Sequence, residues 1–335
     1  MTETNLPVQE NEQPPKLIRR KRRRGILGFL KKQKRLFINN IKETRRILKP
    51  VIRENELSLT DRVYLSPNSL FRIMLFSALC FFTAWMLVLI GQNAVHAMLL
   101  NINGINFNYR LFGISYLPGD SNAWEEGTML LMYSVPYLIY VFLGFLLAVQ
   151  TSRMKKISWR FRLLLNWFSL HLIVFFLSSL IEGVLLYRGL GIAFHWIIGN
   201  FYVRVIVAVI VITLVVWLVR MNFGFYFIKT LPVRVFLGNE MYRKTWIAWV
   251  AGVAVLPGVI TAFIYWFPGM RLQLASVLFL MALIIPALVW SSVYIADVRI
   301  PKSDRKVPGY TFILSAGSLL FVALKLLENY ISRAG

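Results

Sequence analysis

The chain of 335 residues holds one cysteine, three histidines and 15 acidic residues against 38 basic ones. The single Cys80, set inside an apolar run, leaves neither an internal disulfide nor a cysteine metal cluster, and it carries no information on redox compartment. The shortage of His, Asp and Glu confines acid–base and metal chemistry to a few positions. No glycine-rich phosphate loop is present, and no internal repeat of the kind that builds inverted-repeat transporters. The basic N-terminus lacks the short apolar core and small-residue cleavage site of a secretory signal, so the first membrane span is expected to be retained.

What the chain has in abundance is apolar sequence and positive charge. It is 57% hydrophobic, well above the roughly half-apolar composition of soluble domains. Its mean hydropathy is +0.60. Most of it is therefore expected to face lipid. The formal net charge of +23 is concentrated in the first 62 residues and in short loops.

Residues 1–15 are polar, with Pro14 and Pro15, and contain too little apolar surface to offset chain entropy, which predicts a disordered tail. Residues 16–62 read as a basic amphipathic cytoplasmic arm. Leu27, Leu30, Phe37, Ile38, Ile41 and Leu48 recur at roughly helical spacing among cations, up to Pro50. Arg19, Arg20, Lys21, Arg22, Arg23, Arg24, Lys31, Lys32, Lys34 and Arg35 supply the contact charges. Tethered beside a span, such an arm is expected to lie on anionic lipid, each surface-bound cation contributing about 1 kcal/mol. A cytoplasmic partner is the other reading of the arm, and membrane-protein partners are possible for the chain. Nucleic acid is the minor one.

Residues 63–335 read as an all-α multi-pass domain with about seven spans, near 70–92, 128–150, 163–187, 203–219, 246–267, 273–295 and 310–331, each long enough for a hydrocarbon layer of roughly 30 Å. Pro136, Pro257 and Pro286 fall inside three of them and predict kinks or packing sites. The stretch 189–201, "GLGIAFHWIIGNF", reads as a re-entrant turn or as the start of the fourth span. Lys325 and Glu328 are close enough in the last span to pair or to snorkel outward.

Loop cations orient the domain. The arm and loops 151–162, 220–244 and 297–309 are rich in Lys and Arg, whereas segment 93–127 carries only Arg110 and the 267–272 turn only Arg271. Seven spans with the N-terminus in the cytoplasm and the C-terminus outside satisfy every loop. The expected location is the cell membrane, the inner one in a diderm bacterium. "INFNYRLFGISY" in the outer segment alternates enough for a small hairpin; the competing reading is a loop with its aromatics at the interface.

Ionisable groups within spans are costly and mark candidate sites. Here they are His96, His171, Glu182 and His195, with Gln92, Asn93, Asn166 and Lys325 beside them. His171 and Glu182, eleven residues apart, share a helix face with Ser178 between them. In the seven-span topology His96, Glu182 and His195 all lie toward the outer leaflet. Two imidazoles and a carboxylate suffice for an open zinc site. The competing readings are a hydrogen-bonded packing cluster and a proton or substrate path.

"QNAVHAMLLNINGINFNYRLFGIS" resembles the first core segment of site-2-protease-type intramembrane zinc metalloproteases, in which a helix carrying HExxH runs through a small-residue exit into a short strand pair. "SVPYLIYVFLGFLLA", with Pro136, is similar to that family's next core helix. The resemblance covers roughly residues 75–150 and places Gln92, Asn93 and His96 at the three motif positions. HExxH needs two imidazoles to hold zinc and a glutamate to activate water. Here an amide stands at one ligand and another at the base, so hydrolysis by that mechanism is excluded. The family's later Asp has no counterpart except Glu182, and loop charge places His96 outside, whereas the family's motif lies nearer the cytoplasm. The resemblance therefore implies an inactive relative. "IEGVLLYRG", residues 181–189, is also similar to the Glu-Glu-xxx-Arg-Gly element of membrane-embedded CAAX-type proteases, but has one Glu, Glu182, six residues before Arg188.

These readings favour a non-catalytic assembly or scaffold subunit with a lipid- or partner-binding arm. The alternative is a membrane enzyme or transporter using His96, Glu182 and His195.

Overall fold

The structure is a computed structural model that describes residues 67–110, 113–116, 126–154, 157–186, 189–230, 240–253 and 308–334, together with Val255, Ile284, Ile285 and Leu288. The chain divides into two units, Met1–Lys49 and Pro50–Gly335, and every described residue belongs to the second. The tail and arm expectations, most of the expected spans 246–267 and 273–295, and Pro257 and Pro286 lie outside the described residues.

The elements are α1 (Pro67–Ile102), β1 (Phe107–Arg110), β2 (Gly113–Tyr116), α2 (Glu126–Arg153), α3 (Trp159–Leu186), α4 (Leu190–Ile197), α5 (Phe201–Ile228), α6 (Glu240–Ile247) running into a π-helical turn (Ala248–Val253), and α7 (Tyr310–Ala334). Helices α1, α2, α3, α5 and α7 are each long and apolar enough to cross a membrane. The architecture is that of an all-α membrane protein.

Helix α3 is the centre, packing against α1, α2, α4 and α5. Its residues are apolar nearly all round, and all ten from His171 to Leu180 are buried, as expected of a helix with neighbours on every side. Aromatic rings fill the contact with α1: Phe81 meets Trp167 and His171 edge-on at centroid distances of 5.1 and 4.5 Å, and Phe76 meets Trp159 at 6.0 Å. On the other side Phe175 stacks on Tyr137 of α2. By contrast α2, α5 and α7 leave large apolar side chains such as Phe142, Leu214 and Leu319 exposed, a surface suited to lipid.

Where apolar attraction gives no preference between lipid and protein, close approach depends on small residues. A Cβ on Gly144 of α2 would fall 2.7 Å from Ile173 Cγ1 and 2.9 Å from the Ser169 carbonyl oxygen of α3. Ser169 Oγ also donates to the Gly144 carbonyl. Gly191 of α4 lies so close to Gly183 of α3 that a Cβ would be 1.8 Å from its Cα.

Two expectations about boundaries change. The first apolar helix does not end near residue 92 but continues through Gln92, Asn93 and His96 to Ile102, about 50 Å in all. It stops where Asn103 and Gly104 turn the chain, Gly104 having φ +68°. Segment 189–201 is not the start of the fourth span: α4 is a separate short helix, and Asn200 caps α5 by accepting from the amides of Tyr202 and Val203. Helix α2 runs unbroken through the buried Pro136.

Beyond α1 the alternating segment forms an antiparallel hairpin, with Phe107 opposite Tyr116 and Arg110 opposite Gly113. Phe107 and Ile114 close a small cluster over Leu100, Ile105 and Met132, tying the hairpin to the ends of α1 and α2.

Overpacking typically costs 1–3 kcal/mol, so Gly191→Ala is expected to destabilise the protein by about that amount or more, read as unfolding in detergent. Gly91→Ala, where an added Cβ meets nothing within 4 Å, is expected to be neutral or to gain up to about 1 kcal/mol of helix propensity. Equal responses would remove the close crossing as a stability determinant.

Candidate functional site

Glu182 sits near the end of α3 and accepts a hydrogen bond from Ser178 Oγ, one turn earlier, at 3.0 Å. Ser179 beside it accepts from the Leu190 amide at 3.0 Å, satisfying one of the free N–H groups at the start of α4. Ser179 is also hydrogen-bonded to the Tyr137 hydroxyl, which accepts from Gln92 Nε2 at 3.3 Å. Tyr137 thus joins α1, α2 and α3. His96 lies one turn beyond Gln92, its ring 6.0 Å from that of Tyr137. Its Nδ1 is 3.0 Å from the Gln92 carbonyl oxygen; an oxygen there only accepts, so the proton is on Nδ1.

Gly189 closes this cluster. With φ +54° it adopts a backbone conformation that a side chain disfavours. A Cβ there would lie 2.7 Å from Ser179 Oγ and 3.0 Å from the Tyr137 hydroxyl. Gly189 therefore lies over these polar groups with backbone alone.

The structure thus gathers Gln92, His96 and Glu182 around Tyr137 and separates the other candidates from them. His171 does share the α3 face with Ser178 and Glu182. Along the helix, however, it is about 16 Å from Glu182, and its ring is hydrogen-bonded to the Phe81 carbonyl and packed against Phe81 and Trp167. His195 stands exposed near the end of α4, whose residues Leu190, Gly191 and Ala193 are buried. Asn93 is half-buried. Among the described residues no group of three His, Cys, Asp or Glu is placed to hold a metal ion. Lys325 is exposed near the end of α7.

The opposite end of the bundle carries a second polar assembly. Arg162, buried in the first turns of α3, donates from Nη2 to the Met154 carbonyl at 2.7 Å and from Nη1 to the Lys229 carbonyl at 3.2 Å. Lys229 Nζ donates to the Ser152 carbonyl at 3.0 Å. Two cations thereby satisfy the terminal carbonyls of α2 and α5, where the helix dipole favours positive charge. Burial, and then the Arg162 charge, hold the Lys229 ammonium below the usual lysine range. One turn inward, Asn166 Nδ2 donates to the Tyr226 carbonyl at 3.0 Å. Trp167 Nε1 donates to Ser77 Oγ at 2.9 Å, and Ser77 donates to the Val250 carbonyl at 2.5 Å. The π-helical turn shifts backbone pairing out of α register and presents that carbonyl to α1.

Sequence reasoning counted Arg162 and Lys229 only as loop charge and passed over Tyr137, Ser179, Gly189 and Gly191. Pairs of small residues at the end of one apolar run and the start of the next were the available signal.

No known protein family, no curated protein and no solved structure matches the chain.

Removing one partner of a buried hydrogen bond costs about 1–3 kcal/mol. Tyr137→Phe, which strands Gln92 and Ser179 together, is expected to lower unfolding stability by about that amount, while the exposed His195→Ala changes it by less than about 0.5 kcal/mol. A fully stable Tyr137→Phe would show that the hydroxyl is not the junction.

Proposed function

We propose that this chain is a multi-pass membrane assembly or scaffold subunit rather than a catalyst, with a basic cytoplasmic arm, residues 16–62, that grips anionic lipid or a membrane-protein partner. The observation that carries the reading is where the membrane-embedded polar groups go. Gln92, Tyr137, Ser178, Ser179 and Glu182 bond to one another or to backbone across three long helices and α4, while His195 is exposed. Groups used up in holding helices together suit a rigid frame. The same reading accommodates an inactive relative of intramembrane proteases, since Gln92 spends its amide on Tyr137.

The second reading, an enzyme or transporter working through His96 and Glu182, is favoured by one feature: both lie in the same cluster. A zinc ion there would need a ligand beyond these two.

For topology we infer seven spans with the N-terminus in the cytoplasm. Tyr310 at the start of α7 donates to Asn68 Oδ1 at 2.5 Å, and Phe312 lies 6.4 Å from Phe76, so α7 runs parallel to α1. Phe76 also touches Trp159, and Arg162 links the ends of α2 and α5 to the start of α3. Helix α5 therefore finishes at the end where α7 begins. The chain between them returns to the end it left, which suits an even number of crossings there, and the two apolar runs near 246–267 and 273–295 supply two.

A reporter fused after Gly335 is expected to be active only on the outer side; activity in the cytoplasm would overturn the odd count. For the arm, the purified protein is to be reconstituted in nanodiscs and offered vesicles of graded anionic content. Vesicle capture should rise steeply with anionic lipid and fall at least about tenfold when the ten cations from Arg19 to Arg35 become Gln, given about 1 kcal/mol for each cation near the surface. Capture indifferent to lipid charge would reject the lipid role.

A further inference from the structure

Helix α7 turns its polar side the wrong way for lipid. Its buried residues Ile313 and Leu324 mark the side held against the bundle, where its main packing partners among the described elements are α1 and β1. At about 3.6 residues per turn, the opposite side carries Thr311, Ser315, Ser318, Val322 and Lys325, every one of them exposed. Leu314 and Leu326, also exposed, flank this stripe. All of these residues lie within the candidate span Tyr310–Leu327. A side facing only lipid would be the most apolar one; hydroxyl and ionisable groups at that depth suit contact with protein.

The spacing is as informative as the composition. Steps of four, three, four and three lead from Thr311 through Ser315, Ser318 and Val322 to Lys325, and the sequence continues them to Asn329 and Ser332. That alternation keeps one seam facing a neighbour when two helices coil left-handedly about each other. Small residues let the backbones approach, and a hydroxyl both donates and accepts, so it can pair with its own kind. Ser315 donates to the Phe312 carbonyl of its own helix at 3.1 Å, which leaves its oxygen able to accept across a seam. A single lysine in such a seam fixes register at a cost in stability.

Charge sets the sense of the pair. In this register Glu328 and Arg333, five residues apart, stand at the two edges of the seam, the positions whose ion pairs select partner and orientation in parallel coils. Two copies of one chain in one membrane share an orientation, so a two-fold axis along the membrane normal makes their α7 helices parallel. Each seam residue then meets its own counterpart, and the Glu328 position of one copy comes beside the Arg333 position of the other. The apolar run just before α7 in the chain would cross in the opposite direction and offers no such match.

We propose that the outward seam of α7, from Thr311 to Lys325, is a docking surface for the same helix of a second copy, so that the chain pairs through parallel α7 helices. The inference deepens the assembly reading above by naming a partner, and it rests on the membrane placement in that reading; the arm plays no part in it.

The test uses the full chain with Cys80→Ala and one new cysteine at a time, oxidised in native membranes, so that no disulfide can form within a copy. Ser315→Cys, Ser318→Cys and Val322→Cys are each expected to give a linked dimer, and Ala323→Cys, exposed but off the seam, to give little. In the chain that keeps Cys80, Thr311→Val with Ser315→Ala and Ser318→Ala should lower co-purification of two differently tagged copies about tenfold. Arg333→Glu should weaken pairing, and adding Glu328→Arg should restore it; unchanged melting of each variant in detergent checks the fold. Absence of dimer at all three seam positions overturns the proposal and would mean that another run of this chain, a different protein or lipid covers the face. Equal linkage at 323 and at the seam also overturns it, as random collision. Extraction of the parent from membranes by carbonate would instead overturn the membrane reading beneath it.

Discussion

Everything in the bundle depends on keeping α3 inside protein. Its central residues have no outward face, so each polar group on it must find a protein partner where water is scarce and an unpaired group costs several kcal/mol. The partners come from every neighbour: α1 through Ser77 and the Phe81 carbonyl, α2 through Gly144 and Tyr137, α4 through Leu190, α5 through Tyr226 and Lys229. Apolar surface alone cannot do this, because Leu and Phe are equally content against lipid tails. Polar contacts and small-residue crossings decide which helix sits where.

The two ends of α3 solve the problem with different chemistry. Toward its C-terminus the groups are uncharged apart from Glu182, and they pair through Tyr137, with a glycine backbone drawn over them. Toward its N-terminus the partners are cations and helix carbonyls, an arrangement that tolerates headgroup water and gains from the terminal dipoles of α2 and α5. The loop asymmetry visible in the sequence and the structural asymmetry of α3 are the same feature at two levels. Arg162 counts toward orientation and also fixes the geometry of three helices.

How much of this was legible depends on the range of the signal. Long apolar runs predicted α1, α2, α3, α5 and α7 within a few residues at most ends, because a membrane span writes its length into composition. The end of α1 was misplaced because Gln92, Asn93 and His96 read as a polar exit. In the structure Gln92 and His96 turn inward to Tyr137, so the helix keeps its α hydrogen bonds for ten further residues. His96 and Glu182 both lie near Tyr137. His171 does not, since it shares the Glu182 face but stands about 16 Å away along α3, and His195 is exposed on α4. Tyr137 was illegible because a Tyr in an apolar run is ordinary, and only the meeting of three helices gives its hydroxyl a role.

The placement of α7 follows from the same division between polar and apolar contacts. Among its described side chains most are exposed, and of the large apolar ones only Ile313 and Leu324 are buried. Apolar packing therefore holds it weakly in register. Its first turn, in contrast, is pinned to α1: Tyr310 donates to Asn68, lies 6.5 Å from the Phe71 ring and has the Arg72 guanidinium 5.6 Å above its face. At an interface, a Tyr with one wet end and one apolar face suits this position. Gly317, two turns on, lies beside Leu79 of α1, whose Cδ1 an added Cβ would meet at an ordinary contact distance of 3.8 Å. The polar anchor at Tyr310 thus sets the level and direction of a helix whose described side chains are mostly exposed. Besides α1, the helix also packs against β1 of the hairpin, so it is held at more than its first turn.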